Sequence, residues 1–232
     1  MNGRPTSAAA EPRPFIVAHR AGNSLVDLYQ ATAVAGVAVE ADLWLRAGRI
    51  EVGHARALTP VPIVRASGFA TRRSALLLGD LLRALPSETH LVLDLKGRSL
   101  RLSLNVLSEL DRQPYPRALT VCAQHWPLVE PFRHGAARCM YSIGTRRELR
   151  SLLIRRLDAP IEGVSIHERF ICGETMAAVR TVACMVMAWT VNCPRRAGEL
   201  LELGVDGIIT DDPTAIARAF NRLREPGWSE RL

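Results

Sequence analysis

The sequence predicts an α/β protein whose fold is a (β/α)8 barrel, the TIM barrel. Short apolar runs alternate with amphipathic segments along nearly the whole chain, which is typical of parallel strands joined by helical crossovers. Polar residues stand at the carboxyl ends of these runs, and in a barrel those ends converge on one face. A closed barrel needs about 250 residues, so the 232 residues of this chain fit it tightly.

The elements follow from these patterns in chain order. The first predicted strand is not followed by the G-x-G-x-x-G turn of a dinucleotide fold, so a doubly wound open sheet is the runner-up. The region 55–76 is the least periodic, and we interpret it as an extended loop over one face. Strands are predicted at 15–19, 37–44, 49–54, 91–97, 118–124, 138–143, 162–167, 184–192 and 206–210. Helices are predicted at 25–35, 77–85, 102–110, 128–134, 146–157, 173–182, 197–203 and 214–223.

Composition indicates a soluble protein with one domain. The 48% hydrophobic and 23% charged shares are ordinary for a globular chain with a substantial core. We expect a flexible N-terminal tail at 1–13 and a single domain at 14–232, because no internal repeat or domain boundary is visible. The opening residues lack the apolar run of a signal peptide, and no window resembles a membrane span. We therefore expect a cytoplasmic protein whose five cysteines are reduced and buried.

The net charge of +7 raises the question of nucleic acid as a partner. The arginines are scattered, and no basic run is interleaved with aromatic residues, which argues against nucleic-acid binding. A positive surface attracts phosphorylated substrates equally well. Transient contact with a membrane surface stays open, and the sequence does not determine the oligomeric state.

The stretch LVLDLKG, residues 91–97, carries two charges on an apolar strand. Asp94 and Lys96 share one face because side chains alternate along a strand. Lys96 is the one lysine among 30 Lys and Arg residues. Glu40 and Asp42 likewise share a strand face, and with Asp94 they form a set of oxygen ligands suited to one divalent cation, Mg²⁺ or Ca²⁺. The alternative is that these carboxylates are solvated strand ends or partners of nearby arginines.

Two histidines end predicted strands close to these acids. His19 and His54 have no zinc-type spacing to other ligands, and beside carboxylates they suggest a general acid and a general base. Trp189 near the end of a later strand either belongs to the core or shapes the floor of a pocket. His125 and His167 also lie near strand ends, although structural or surface roles are favoured for them.

An ordered set of motifs carries a family resemblance. FIVAHRAGNSL, VEADLWLRAGRIEVGHARAL, LVLDLKG and MAWTVN with LLELGVDGIITDDP occur in this order over about residues 14–220. This set resembles the glycerophosphodiester phosphodiesterase family of metal-dependent (β/α)8 barrels. The resemblance implies that His19 and His54 are the acid/base pair, assisted by Lys96, and that Glu40, Asp42 and Asp94 hold the metal. It also implies that Arg20 and Lys96 contact the phosphate, with Trp189 on the substrate side.

Three departures from the family pattern affect the expected chemistry. The loop after His19 lacks the glutamate of the family's P-E-N-T segment, so we hypothesise that Asn23 or a water takes its ligand position. The usual E-x-K is D-x-K here, and Ala55 stands where the family has aspartate. The first two features resemble the related sphingomyelinase D and phospholipase D toxin group.

The expected activity is metal-dependent cleavage of glycerophosphodiesters or lysophospholipid-type phosphodiesters by two histidines. One alternative is a sphingomyelinase D-like lyase that forms a cyclic phosphate. The other is a non-catalytic barrel that binds a phosphorylated ligand, suggested by the missing glutamate and by Ala55. The sequence does not determine which histidine is the acid.

Overall fold

The computed structural model describes residues 14–54, 75–113, 118–154 and 160–223. Within them the first strand pairs with both the second and the last, so that eight parallel strands close into a barrel. The strands are β1 (Phe15–Ala18), β2 (Val37–Arg46), β3 (Arg49–Val52), β4 (Leu76–Leu77), β5 (Leu91–Leu95), β6 (Leu119–Ala123), β7 (Arg138–Ile143), β8 (Ile161–His167), β9 (Ala183–Trp189) and β10 (Gly207–Thr210). Around the barrel their order is β1-β2-β5-β6-β7-β8-β9-β10. The predicted (β/α)8 barrel is confirmed, and the open sheet is excluded.

Helices surround the barrel and bury its outer face. They are α1 (Leu25–Thr32), α2 (Leu78–Ala84), α3 (Leu100–Arg112), α4 (Arg146–Leu153), α5 (Gly173–Arg180), α6 (Pro194–Glu202) and α7 (Pro213–Leu223). The larger core lies between these helices and the strands and includes Leu28, Leu93 and Val106, all fully buried. Burying such side chains stabilises the fold by about 1.5–3 kcal/mol each.

A second, smaller core fills the barrel itself. Its members include Val17, Ala38, Val92, Met187 and Ile209, which point inward from five strands. Side chains alternate along a strand, so the residue two positions further along each strand also points inward. Those next positions hold polar or aromatic groups, and the apolar layer becomes a floor beneath them. The groups are His19, Glu40, Asp94, Trp189 and Asp211.

The third predicted strand does not belong to the barrel. β3 runs antiparallel to the outer half of β2, and β4 pairs with β3 in turn. Ala47 and Gly48 have φ values of 45° and 77° between β2 and β3, as a two-residue hairpin turn requires. Because β3 runs back toward the barrel, its end meets the middle of β2, where the Gly53 N–H donates to the Asp42 carbonyl at 3.0 Å. His54, which follows β3, therefore reaches the barrel mouth from the second strand of a hairpin.

Most element predictions are confirmed, with one exception among the helices. All nine predicted strands are present, with ends shifted by at most three residues. The predicted helix at 128–134 is wrong: two 3-10 turns, Trp126–Leu128 and Glu130–Phe132, occupy this region. Pro127 and Pro131 lack the N–H that a continuous helix needs. Residues 55–74 of the predicted loop, the end of the predicted helix at 155–157, and the tail 1–13 lie outside the described residues.

The cysteines only partly match expectation. All five lie in described segments and none is in a disulfide, but burial holds for Cys122 and Cys139 alone. Cys172, Cys184 and Cys193 are exposed, because they stand at strand and helix starts outside the core. Across the described residues, no helix combines the length and apolarity needed to cross a bilayer. The compartment and the domain boundaries stay predictions.

His90 gives the fold a pH dependence that can be measured. It precedes β5, its Nε2 lies 2.8 Å from Thr120 Oγ1, and its ring lies 4.6 Å from that of Phe15. Burial, with the charge of Arg138, lowers the pKa of His90 from 6.5 to about 4. The folded protein thus binds this proton less tightly than the unfolded chain, so stability falls as the pH drops below about 6.5 and approaches 4.

We therefore expect His90→Gln to reduce the acid sensitivity of folding. Between about pH 7 and about pH 5, the free energy of unfolding of wild type should fall by on the order of 1 kcal/mol more than that of the variant, because His90 is only partly buried. Urea unfolding at the two pH values measures this difference. His134→Gln is the matched control, since His134 is exposed. Parallel pH profiles for wild type and His90→Gln would contradict the assignment.

Candidate active site

The acidic cluster lies where strands β2 and β5 end at the barrel mouth. The parallel register sets Asp42 beside Asp94, and the Lys96 N–H continues the ladder by donating to the Leu43 carbonyl at 2.9 Å. One carboxylate oxygen each from Glu40, Asp42 and Asp94 lie within 4.8 Å of one another. The structure thus brings together the three carboxylates that the sequence singled out.

Asp42 is the most completely held member of the cluster. Its side chain is 1% exposed, and Oδ1 lies 2.8 Å from the Lys96 ammonium. Oδ2 accepts from the Asn23 amide at 2.8 Å and lies 3.6 Å from Arg20 Nε. Lys96 also contacts Asp94 Oδ2, so one ammonium joins two of the carboxylates. Glu40 Oε2 accepts from the Arg20 backbone N–H at 2.6 Å.

The turn after β1 supplies two of these contacts. Arg20 adopts a left-handed conformation with φ 58°, and a 3-10 turn follows at Ala21–Asn23. Asn23 uses both ends of its amide on Asp42, since its Oδ1 also accepts from the Asp42 N–H at 2.9 Å. Asn23 thus braces Asp42, and its hypothesised role as a metal ligand stays a prediction.

Gly22 lets this turn lie directly on β2. A Cβ at this position would stand 2.7 Å from Ala41 Cβ and 3.1 Å from the Glu40 carbonyl oxygen. Either distance is closer than real Cβ atoms comfortably tolerate, so the turn would move outward. The Arg20 and Asn23 contacts to the carboxylates therefore depend on a glycine.

The electrostatics of the cluster reflect crowded negative charge. Burial, with the charges of Asp42 and Asp94, raises the pKa of Glu40 well above its ordinary value. Burial likewise raises the pKa of Asp94 despite its contact with Lys96. Burial alone would raise the pKa of Asp42 too, but Lys96 and Asn23 hold it below the ordinary value. The three carboxylates raise the pKa of Lys96, so its ammonium stays charged.

The donor set fits one divalent cation. When all three carboxyl groups are ionised, they face one ammonium, and two negative charges then remain for other partners such as Arg20 or an ion. Asp94 Oδ1 is buried, and no donor among the described residues reaches it, which is costly for an anionic oxygen. An all-oxygen set of this kind suits Mg²⁺ or Ca²⁺.

His19 belongs to a network that the sequence motifs did not reveal. Its Nδ1 lies 2.7 Å from Asp211 Oδ1, and Asp211 Oδ2 accepts from the Asn192 amide at 2.7 Å. Burial tends to raise the pKa of Asp211, but hydrogen bonds from Asn192 and His19 lower it overall. Local sequence motifs assign no role to Asp211 or Asn192, because their partner His19 lies at the other end of the chain.

The remaining predicted residues also reach the mouth. His54 is half-buried beside the Asp42 strand position, and Arg20 directs its partly exposed guanidinium toward Asp42. Trp189 anchors its indole by donating to the Ser165 carbonyl at 3.0 Å and lies 4.9 Å from the His167 ring. His167 thus lines the rim, whereas His125 begins the turn at Trp126–Leu128.

The fold and site together define a (β/α)8 barrel with an acidic, histidine-flanked site at its carboxyl end. No protein-family profile matches the chain, and no curated protein matches it in sequence. Solved structures do match, and several are glycerophosphodiester phosphodiesterases.

Three of these structures illustrate the likeness. The glycerophosphodiester phosphodiesterase of Parabacteroides distasonis has a TM-score of 0.73 at 16% identity and covers 93% of this chain and 100% of its own. An Oleispira antarctica phosphodiesterase, in complex with the product sn-glycerol-3-phosphate, has a TM-score of 0.72 at 18% identity, with 90% and 97% covered. The Thermotoga maritima enzyme has a TM-score of 0.68 at 16% identity, with 88% and 97% covered. These structures confirm, for the fold, the resemblance that the motifs predicted.

Gly22→Ala tests whether the turn after β1 packs closely against β2. We expect a loss of about 1–3 kcal/mol in the free energy of unfolding, because the added methyl overlaps β2. Gly173→Ala is the matched control: nothing lies within 4 Å of its Cβ position at the start of α5. Denaturant unfolding measures both, and equal stability of the two variants would contradict the close approach.

Proposed function

We propose that this protein is a metal-dependent phosphodiesterase that hydrolyses glycerophosphodiesters. The observation that carries the proposal is the cluster of Glu40, Asp42 and Asp94 with Lys96 in contact, at one barrel mouth with His19. The phosphodiesterase fold of the matching structures supports it. The substrate class is a small-molecule or lipid phosphodiester.

Glu40, Asp42 and Asp94 would hold one divalent cation, Mg²⁺ or Ca²⁺. A cation bound there supplies positive charge that neutralises the charge developing on the phosphate. The braces around Asp42 serve this role by fixing a ligand before binding, since Asn23 and Lys96 already hold both of its oxygens. The identity of the metal is part of the proposal.

Lys96 and Arg20 would contact the phosphate. An ammonium has three N–H donors, and two of those on Lys96 are directed at Asp42 and Asp94, which leaves one for a phosphate oxygen. A compact ammonium fits between two carboxylates where a planar guanidinium is broader, which accounts for a lysine in a chain otherwise rich in arginine. Arg20 presents its guanidinium from the opposite side of Asp42.

His19 and His54 would transfer the protons. Asp211 accepts from His19 Nδ1 and so favours the tautomer whose Nε2 can take or give a proton. One imidazole removes the proton of the attacking hydroxyl while the other donates a proton to the leaving alcohol oxygen. Asp211 is a positioning residue in this scheme, and Asn192 fixes Asp211 in turn.

The same residues would also serve attack by a neighbouring hydroxyl of the substrate, which forms a cyclic phosphate. The D-x-K motif and the shortened loop favour this alternative. The sn-glycerol-3-phosphate bound to the Oleispira antarctica phosphodiesterase supports hydrolysis by water. A non-catalytic barrel is disfavoured, because such a barrel has no need of both histidines beside an intact acidic cluster.

Cation binding should stabilise the folded protein through Asp94. With the cation at about 100 times Kd, the free energy of unfolding increases by about 2.7 kcal/mol. For a chain of this size this corresponds to a rise in Tm of about 5–10 °C. We expect this rise for wild type in Mg²⁺ or Ca²⁺ and its loss in Asp94→Asn, measured by thermal denaturation. The exposed Asp111→Asn on α3 is the control and should respond as wild type does. An equal rise in Asp94→Asn would disprove the ligand assignment.

Product analysis by ³¹P NMR tests the function itself. With Mg²⁺ or Ca²⁺ we expect a glycerophosphodiester such as glycerophosphocholine to give a phosphomonoester, and chelator to stop the reaction. His19→Ala and His54→Ala should each lower kcat by about 10²–10⁴-fold, whereas the exposed His134→Ala should not. Lysophosphatidylcholine and sphingomyelin extend the substrate panel.

The outcomes separate the alternatives. A cyclic phosphate as the end product favours the lyase, and phosphate binding without turnover favours the non-catalytic barrel. Full activity in chelator, or unchanged activity in His54→Ala, would refute the mechanism.

A further inference from the structure

An open, solvent-exposed cavity lies beside the barrel mouth, on the side away from the acidic cluster. It has a volume of about 520 Å³ and is lined by Thr145, Arg146, Arg169 and Phe170. These residues follow the carboxyl ends of β7 and β8, so the cavity lies on the same face of the barrel as the candidate active site. We refer to it as the arginine cavity.

The arginine cavity carries two positive charges, on Arg146 and Arg169. Among the described residues, neither Arg146 nor Arg169 forms an ion pair. Glu148 accepts from the Gly144 and Thr145 N–H groups at 2.7 and 2.9 Å and keeps its negative charge, whereas Glu168 pairs with Arg196 at 3.0 Å. The lining itself holds two cationic side chains and no acidic one, which suits an anion.

Arg169 is fixed in place before any ligand arrives. Its Nη2 donates to the Gly144 carbonyl at 2.9 Å, and its guanidinium lies 4.7 Å from the centre of the Phe170 ring. Those contacts leave further N–H donors, since a guanidinium carries five. A preorganised arginine of this kind binds phosphate or carboxylate with little loss of side-chain entropy.

The cavity faces part of the candidate active site across the mouth. In the order of the eight barrel strands, β7 and β8 stand opposite β1 and β2, which lead to His19 and carry Glu40 and Asp42. Aromatic rings mark the path between the two sites: Trp189 lies 4.9 Å from His167, and His167 lies 6.1 Å from Phe170. The Trp189 ring also passes within 3.3 Å of a Cβ position at Gly144, beside the cavity.

We infer that the arginine cavity binds a second anionic group on the alcohol that the phosphodiester releases. The inference rests on the proposed function and names its substrate class: glycerophosphodiesters whose second alcohol carries its own phosphate. A diester held by Lys96 directs that alcohol over Trp189 toward Arg146 and Arg169. Choline and ethanolamine diesters are cleaved more slowly than these substrates, because their positively charged head groups meet two guanidinium groups.

A matched pair of substrates tests the inference. Glycerophosphoinositol 4-phosphate and glycerophosphoinositol differ by one phosphate, so the ratio of their kcat/KM values reports the second anionic site. We expect wild type to prefer the phosphorylated substrate about tenfold or more, as charge-assisted hydrogen bonds allow, and the preference to shrink at high salt. In Arg146→Gln/Arg169→Gln the ratio should fall toward one.

The control is Arg147→Gln/Arg150→Gln, which removes the same charge from exposed positions of α4 outside the cavity and should keep the wild-type ratio. Arg146→Gln alone removes no contact seen among the described residues, so it tests the site even if the double variant folds poorly. A ratio near one in wild type, or an equal fall in the control, would overturn the inference.

Calorimetry separates this inference from the proposed function. Titration of inositol 1,4-bisphosphate and inositol 1-phosphate measures the same anionic preference without turnover. Loss of that preference in Arg146→Gln supports the arginine cavity even if no diester is cleaved, in which case the proposed function alone fails. Equal affinity for both inositol phosphates, together with turnover of glycerophosphoinositol, leaves the function standing and rejects the cavity.

Discussion

Burial of three carboxylates around one ammonium is the constraint on which the mouth of this barrel depends. Charges of one sign within 4.8 Å, away from water, repel strongly. The fold holds them together because the β2–β5 register leaves Asp42 and Asp94 no room to separate. The remaining strain is relieved by Lys96, by backbone and amide donors, and by protonation or a cation. The excess negative charge of the ionised cluster is what suits the site to a positive ligand.

The elements around the cluster follow from that constraint. The turn after β1 lies against β2 through Gly22 and delivers the Arg20 N–H and the Asn23 amide to two carboxylates. The β2–β3 hairpin returns His54 to the same level. On the far side of the mouth, positive groups surround an aromatic rim. The acidic cluster thus lies on one wall of the mouth, and Arg146 and Arg169 lie on another.

Much of this arrangement could be predicted from residues near each other in sequence. Alternation along 37–44 and 91–97 put Glu40, Asp42 and Asp94 on inward faces. Because parallel strands converge at their carboxyl ends, these side chains were also expected to lie close together. The direction of a strand could not be predicted in this way. The pattern of RIEVGH is the same in a parallel strand of the barrel and in the returning strand of a hairpin. The wrong helix at 128–134 is different, because Pro127 and Pro131, which break it into 3-10 turns, can be read in the sequence.

Contacts between residues that are far apart in the sequence could not be predicted from local patterns. Asp211 is an ordinary acid after a strand until the barrel closes and brings it to His19, 192 positions away in the chain. The arginine cavity likewise joins two loops with no shared motif. During synthesis from the N-terminus, β1 and its histidine emerge first, while the strand that supplies the partner carboxylate emerges last. A growing or truncated chain accordingly lacks the His19–Asp211 contact until β1 has paired with β10 and the barrel has closed.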